Sequence, residues 1–327
     1  MIPDFEIQGP PDRSRYTSLP AIWLVLTVAM SACAAVPPGA ERDGGDYWDS
    51  GLAYHQSIRT ETLTSGMGGP ALALSGLVSA IAATGNALYF IDQGAGQVVQ
   101  VDMATMTARP LARLRNANQA GLHADLDGKV YVVDRADRSL LVLDEFYPGT
   151  QRMELSTWVG NPVDIAVIDQ GQWLLVLDGL EGRVTTLDMF GGASQLMQPE
   201  LASQSSLASP KAIAATGGGY LVLDGGADQV VGFDLYGKVI GIFASDELSN
   251  GQALAADSCG RFYVADAVGG TIYLGFVDMT LPGRRIELPQ LANSEVSDLW
   301  TDDVFLYVAT RMDGIHIFLI DPECGGL

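Results

Sequence analysis

An apolar run of four residues closed by a small polar one recurs along this chain. It reads Leu88-Tyr-Phe-Ile-Asp92, Val130-Tyr-Val-Val-Asp134, Leu174-Leu-Val-Leu-Asp178, Tyr220-Leu-Val-Leu-Asp224, Phe262-Tyr-Val-Ala-Asp266 and Leu306-Tyr-Val-Ala-Thr310, with starts 42, 44, 46, 42 and 44 residues apart. Each run is too short for a helix and rich in β-branched and aromatic residues, so each predicts a strand buried on both faces. Around each run the same pattern repeats. In the third unit Pro162–Val167 predicts a strand, Trp173–Asp178 the next, Arg183–Asp188 a third and Ser194–Met197 a weaker fourth. The fourth unit offers Lys211–Ala215, Tyr220–Asp224, Gln229–Asp234 and Lys238–Phe243. Short glycine-rich links between them suit antiparallel hairpins.

One sheet of this kind cannot bury both of its faces alone; stacking such units around an axis covers each with its neighbour. The first strand of several units is alanine-rich (Ala80-Ile-Ala-Ala, Ala212-Ile-Ala-Ala, Ala253-Leu-Ala-Ala), as crowding at a hub requires. The expectation is all-β: a six-bladed β-propeller of four-stranded antiparallel blades. The sixth unit has Val296–Thr301, Phe305–Thr310 and Gly314–Asp321 and then lacks an outer strand. A spare β-like run, residues 56–64, precedes the first unit and is predicted to supply that strand and close the ring, removing an open edge.

The pattern Pro-x-x-Ile-Ala, Gly-x-Tyr-Leu-Val-x-Asp, Gln-Val-Val-x-Phe-Asp, Gly-Lys-Val, carried best by Pro210–Ile240 and nearly as well by Pro162–Phe190, resembles the NHL repeat. The resemblance extends over residues 75–321, more loosely in the first, fifth and sixth units. It implies a six-bladed propeller and a range of roles, from envelope lipoproteins and adaptor modules to lyases and lactonases with a metal in the channel. It speaks to fold, not to activity.

Ahead of the propeller, Arg13 and Arg15 precede the apolar run Leu19–Ala29, which ends in Met30-Ser31-Ala32-Cys33. This resembles a bacterial lipobox, in which Cys33 is lipidated. Residues 1–32 are then a lipoprotein signal peptide, 33–54 a Pro/Gly/acid-rich tether and 55–327 the propeller. An ordinary cleaved signal and an uncleaved anchor are the alternatives; a span needs about 20 apolar residues, more than this run holds. Ala34 after the cysteine implies, by resemblance, sorting to the outer membrane, on its periplasmic side or at the cell surface.

The formal charge is −21, with only three lysines, Lys129, Lys211 and Lys238. So acidic a chain repels nucleic acid and anionic lipid, and contacts membrane only through its N-terminal lipid. Cys259, in a turn of unit five, and Cys324, after the last strand of unit six, fall on one face of neighbouring blades. In an oxidising compartment that placement points to a disulfide; two separate thiols are the alternative.

The recurring Asp92, Asp134, Asp178, Asp224 and Asp266 stand at glycine-rich turns, where carboxylates set turn geometry, so they read as structural. Departures from the repeat are more informative. At a first-strand position held by Ala80, Gly121, Ala212 and Ala253, units three and six carry Asp164 and Asp298, which a six-fold ring sets opposite each other. With His123 they are candidate ligands of a channel cation, Ca²⁺ or another divalent metal; otherwise no cofactor is expected. The loops of one face carry Arg135, Arg138, Arg183 and Arg311, together with Trp158, forming a rim suited to a partner. Ordinary loop charges paired with Asp137 and Glu181 are the alternative. Neither a phosphate-binding loop nor a Cys-x-x-Cys motif occurs. These features lead to a non-catalytic, lipid-anchored scaffold for an envelope protein partner in secretion, surface assembly or electron transfer. A channel-metal lactonase or lyase and a small-molecule or sugar-binding module are the alternatives.

Overall fold

The computed structural model describes residues 52–65, 73–117, 120–144, 150–168, 173–188, 192–197, 207–244, 248, 250–267, 270–277 and 283–321. These form six sheets, five of four strands and one of five, antiparallel except for one two-residue strand. The innermost strands are Val78–Thr84, Ala120–Ala124, Pro162–Ile168, Pro210–Thr216, Gly251–Ala256 and Val296–Thr301. Each lies beside the next, and the sixth lies beside the first, so the sheets form a closed ring. Numbering the blades by these strands, the six recurrent phrases are the second strands of blades one to six. Among the described residues no helix is long and apolar enough to cross a membrane.

The core is divided as the sequence pattern demands. Apolar residues cluster between each pair of neighbouring blades. Tyr131, Val133 and Leu140 of blade two, for example, pack against Ile165, Val167, Leu174 and Val176 of blade three. Tyr307, Ala309 and Ile317 of blade six pack against Val78, Ile81 and Phe90 of blade one. A second strand is therefore covered on both sides, and Leu174, Leu175, Val176 and Leu177 are all fully buried.

The sixth sheet takes its fourth strand from near the N-terminus. Leu52–Ile58 pairs antiparallel with Gly314–Ile320, Leu52 opposite Ile320 and Ile58 opposite Ile315, with a bulge between Tyr54 and Gln56. The strand thus starts before the expected run 56–64 and inside the stretch read as tether. Its anchors are the buried Leu52 and Ile58, and the intervening residues are mostly exposed, a pattern the bulge permits. A short 3₁₀ turn at Thr60–Thr62 follows, and then Thr64–Ser65 pairs in parallel with the outer strand of blade one, Thr107–Arg113. One segment therefore touches the sheets on both sides of the seam.

Candidate functional site

The repeated aspartates hold the turns. Asp178 accepts hydrogen bonds from four main-chain N–H groups: Gly160 (2.7 Å) and Asn161 (3.2 Å) in the loop before its blade, and Leu180 (2.9 Å) and Glu181 (3.2 Å) in the turn after its own strand. Asp224 does the same for Ala208, Ser209 and Gly226. Asp92 takes the N–H groups of Ser75 and Ala95, and Asp134 those of Arg115, Ala136 and Asp137. All four side chains are buried. In blade six Thr310 lacks the reach of an aspartate. Its hydroxyl serves only the local turn, while Asp313 accepts from Ser294 Oγ (2.6 Å) in the preceding loop.

A second aspartate set, which the recurrent phrase does not contain, sits in the turns between first and second strands. Asp125, Asp257 and Asp302 each accept from the turn and from a tyrosine hydroxyl of the following strand: Tyr131 (2.9 Å), Tyr263 (2.9 Å) and Tyr307 (2.8 Å). The signal was present as an aspartate five or six residues before the tyrosine of the recurrent phrase. Asp257 also binds Arg261 Nε at 2.7 Å, an ion pair almost wholly removed from solvent.

Asp164 and Asp298 face the same channel. They border a cavity of about 260 Å³ whose lining also includes His123, Trp300, Leu122, Ile213 and Leu254. All three ionisable side chains are half-buried and line this cavity. Asp164 Oδ1 accepts from Ile165 N and Oδ2 from Ile213 N of blade four, both at 2.8 Å. Asp298 repeats the arrangement half a ring away, with Leu299 N at 2.8 Å and Ile81 N of blade one at 2.9 Å. Each carboxylate thus clips the inner strand of its own blade to that of the next. Burial pushes Asp164 up to about 7, against the lowering effect of its two N–H donors. Asp298 is raised well above the ordinary carboxylate value, first by burial and then by the charge of Asp164. Beside Asp164, blade two carries Gly121, where a Cβ would lie 2.7 Å from both the Cα and Oδ1 of Asp164. No larger residue fits there without displacing the strand.

His123 packs edge-on against Trp300, with ring centroids 4.5 Å apart, and burial lowers its pKa to about 3, so it is neutral. Trp300 in turn donates Nε1–H to Ala83 O at 2.9 Å, spanning blade one. Among the described residues, no three His, Cys, Asp or Glu side chains come together as a metal-binding set. Ca²⁺, which wants six to eight oxygens, would find two carboxylates already engaged with main-chain donors.

The rim residues share a face but do not form one cluster. Arg135 Nε donates to Asn161 Oδ1, and Arg183 donates to Trp158 O at 3.1 Å, so these two grip one loop of blade three from either side. Arg311 pairs with Glu295 at 3.0 Å on blade six, and Arg138 is exposed on blade two with a left-handed backbone, φ +46°. Asp137, expected among the partners of the rim, is bound by Arg115 (3.0 Å) and Arg152 (2.8 Å), neither of which the sequence singled out. Cys259 is disulfide-bonded; Cys324 and the lipidation candidate Cys33 lie outside the described residues.

No known protein family and no curated protein matches the chain in sequence. Solved structures match its fold. It is similar to virginiamycin B lyase from Staphylococcus aureus, with TM-score 0.58 and 11% identity over 83% of this chain and 96% of that one. It is also similar to a gluconolactonase from Xanthomonas campestris, with TM-score 0.57 and 15% identity over 76% and 87% of the two chains. A nidogen/laminin complex gives 0.55 and 16% over 69% and 86%. Two enzymes and a nidogen/laminin complex share the architecture at these identities, and the likeness carries the six-bladed fold and nothing finer.

Proposed function

We propose that this protein is a non-catalytic binding disc, held in the bacterial envelope by a lipid on Cys33, that docks an envelope protein through the face bearing Arg135, Arg138, Trp158, Arg183 and Arg311. The observation that carries this reading is how the ionisable groups are used. Each channel carboxylate takes two main-chain donors that clip blade to blade, and the repeated aspartates hold turns. The rim arginines add scarce positive charge to an acidic molecule, and Arg135 and Arg183 are braced by loop atoms, which lowers the ordering cost of binding.

The rival reading is a channel-metal lactonase or lyase. What favours it is that Asp164, Asp298 and His123 line one cavity. Elemental analysis of the full chain, purified in mild detergent and dialysed without chelator, separates the two. The binding disc predicts less than about a tenth of an equivalent of any divalent metal. It further predicts that reversing Arg135, Arg138, Arg183 and Arg311 to Glu abolishes a cross-link formed in native envelopes, whereas Asp164→Asn leaves it. Near-stoichiometric metal lost on Asp164→Asn would overturn the proposal in favour of the enzyme.

A further inference from the structure

The channel cavity is sharply divided in character. Three carboxylates, one imidazole and the Thr301 hydroxyl border it, and the rest of its wall is leucine, isoleucine, valine, alanine and the Trp300 ring. Of the carboxylates, Asp125 is taken up by its own turn and by the Tyr131 hydroxyl, which leaves Asp164 and Asp298. An ionised carboxylate accepts about four hydrogen bonds. Asp164 and Asp298 each receive two from the main chain, so roughly half of that capacity is unused. His123 is half-buried in the wall and lines the cavity, its ring edge-on to Trp300. A neutral imidazole in such a place offers an acceptor without adding a cation. The cavity reaches the surface beside Leu126, which is 89% exposed. At about 260 Å³ it lies at the small end of ligand pockets.

We infer that this cavity binds a small alkylammonium ion, with its ammonium at the channel carboxylates Asp164 and Asp298 and its hydrocarbon tail along the apolar wall toward Leu126. The chemistry favours this class over the alternatives. A hydrated divalent metal needs more oxygen ligands than the wall supplies and gains nothing from leucine and isoleucine. An anion meets two carboxylates. A neutral hydrocarbon leaves the carboxylates and the imidazole unpaired in a low-dielectric site. An ammonium supplies donors to the unused carboxylate acceptors and to water in the cavity, its tail displaces water from apolar surface, and Trp300 adds an aromatic face in the same wall. The acidity of the whole chain draws cations toward the mouth. Binding calls for ionised carboxylates where burial holds the proton on, so uptake of the ammonium releases a proton to solvent.

The test is isothermal titration of the full chain in mild detergent with hexylammonium, hexanol, tetramethylammonium and Ca²⁺. Saturable binding of hexylammonium at one equivalent is expected, at least about tenfold tighter than hexanol. Its affinity should rise as pH goes from 5 to 8, by up to about tenfold per unit where the carboxylates titrate. Asp164→Asn and Asp298→Asn should each weaken it at least about tenfold. Because either change also touches a blade-to-blade clip, Ala256→Phe serves as a second variant. It narrows the wall while leaving both carboxylates in place, and should abolish hexylammonium binding without lowering the melting temperature to that of a misfolded chain. Equal affinity for hexanol, binding of Ca²⁺ in place of hexylammonium, or no binding at all would each overturn the inference. None of these outcomes depends on the rim arginines, so the proposed docking face stands or falls separately.

Discussion

Asp178 and Asp164 lie fourteen positions apart in one blade, and both spend their carboxylates on main-chain N–H groups. Asp178 stands at a turn, recurs in nearly every blade and gathers four donors from two loops. Asp164 stands in the channel, recurs only half a ring away as Asp298, and takes two donors from two blades while bordering a cavity. The first is a construction rule. The second is a departure that also does structural work but keeps acceptor capacity in a place a ligand can reach. A buried acid is informative about function when its neighbours leave it incompletely used.

That contrast can be broken, most forcefully at the turn. Asp178→Ala strands up to four N–H groups, and at roughly 1 to 3 kcal/mol for each buried donor left unpaired, less what water recovers, it should cost about 3 to 5 kcal/mol. Urea unfolding measures it; a loss below about 1 kcal/mol would mean the turn aspartates are ornamental. Gly121→Ala comes next. Its new Cβ meets the Cα of Asp164, which cannot rotate away, so overpacking of about 1 to 3 kcal/mol is expected. The same change in an Asp164→Ala background should cost nearly as much, because the clash is with backbone as well as carboxylate.

The channel pair should differ from the turn set in pH dependence. Burial raises Asp164 from 3.8 to about 7. Between those values the unfolded chain ionises while the folded chain keeps its proton, so this group's stabilisation is complete below about 4 and fades as pH rises toward 7. Asp164→Asn leaves one N–H facing an amide N–H₂, yet it removes that dependence. The gap between wild type and variant should therefore shrink by about 1 kcal/mol or more from pH 4 to pH 8. A constant gap would remove the distinction between the two sets. His316 gives the smallest effect and the opposite sign. Both of its ring nitrogens are buried without a hydrogen-bond partner, and burial lowers its pKa, helped by Arg59 and opposed by Asp313. Its contribution is complete above its ordinary value of 6.5 and is lost as pH falls, so His316→Phe should raise the melting temperature at pH 5 more than at pH 8.

Most of the ring was legible because its rule is local. A buried second strand must be apolar on both faces, so Leu174–Leu177 announces itself, and a glycine turn with an acid announces the corner. The opposed Asp164 and Asp298 were legible because they break a repeat whose symmetry fixes where opposite is. Contacts joining segments with no shared pattern were harder. Arg115 and Arg152 reach Asp137 from separate stretches, and no periodicity marks them. The first strand was misjudged by a few residues because its inward anchors, Leu52 and Ile58, are six positions apart with a bulge between, so simple alternation does not find it.

That strand also bears on how the molecule is made. Leu52 emerges early in synthesis, but its partner Ile320 lies nearly a full chain later, so the sixth sheet has no fourth strand until both are present. Blades one to five can each assemble from consecutive hairpins while the remainder is still being made. The seam is the step of highest contact order, and folding is expected to wait on it. During that wait Leu52–Ile58 has no partner of its own and can pair with the wrong strand. The hazard period for this fold thus runs from the emergence of Leu52 to that of Ile320, and a chaperone acting on it has most to do then.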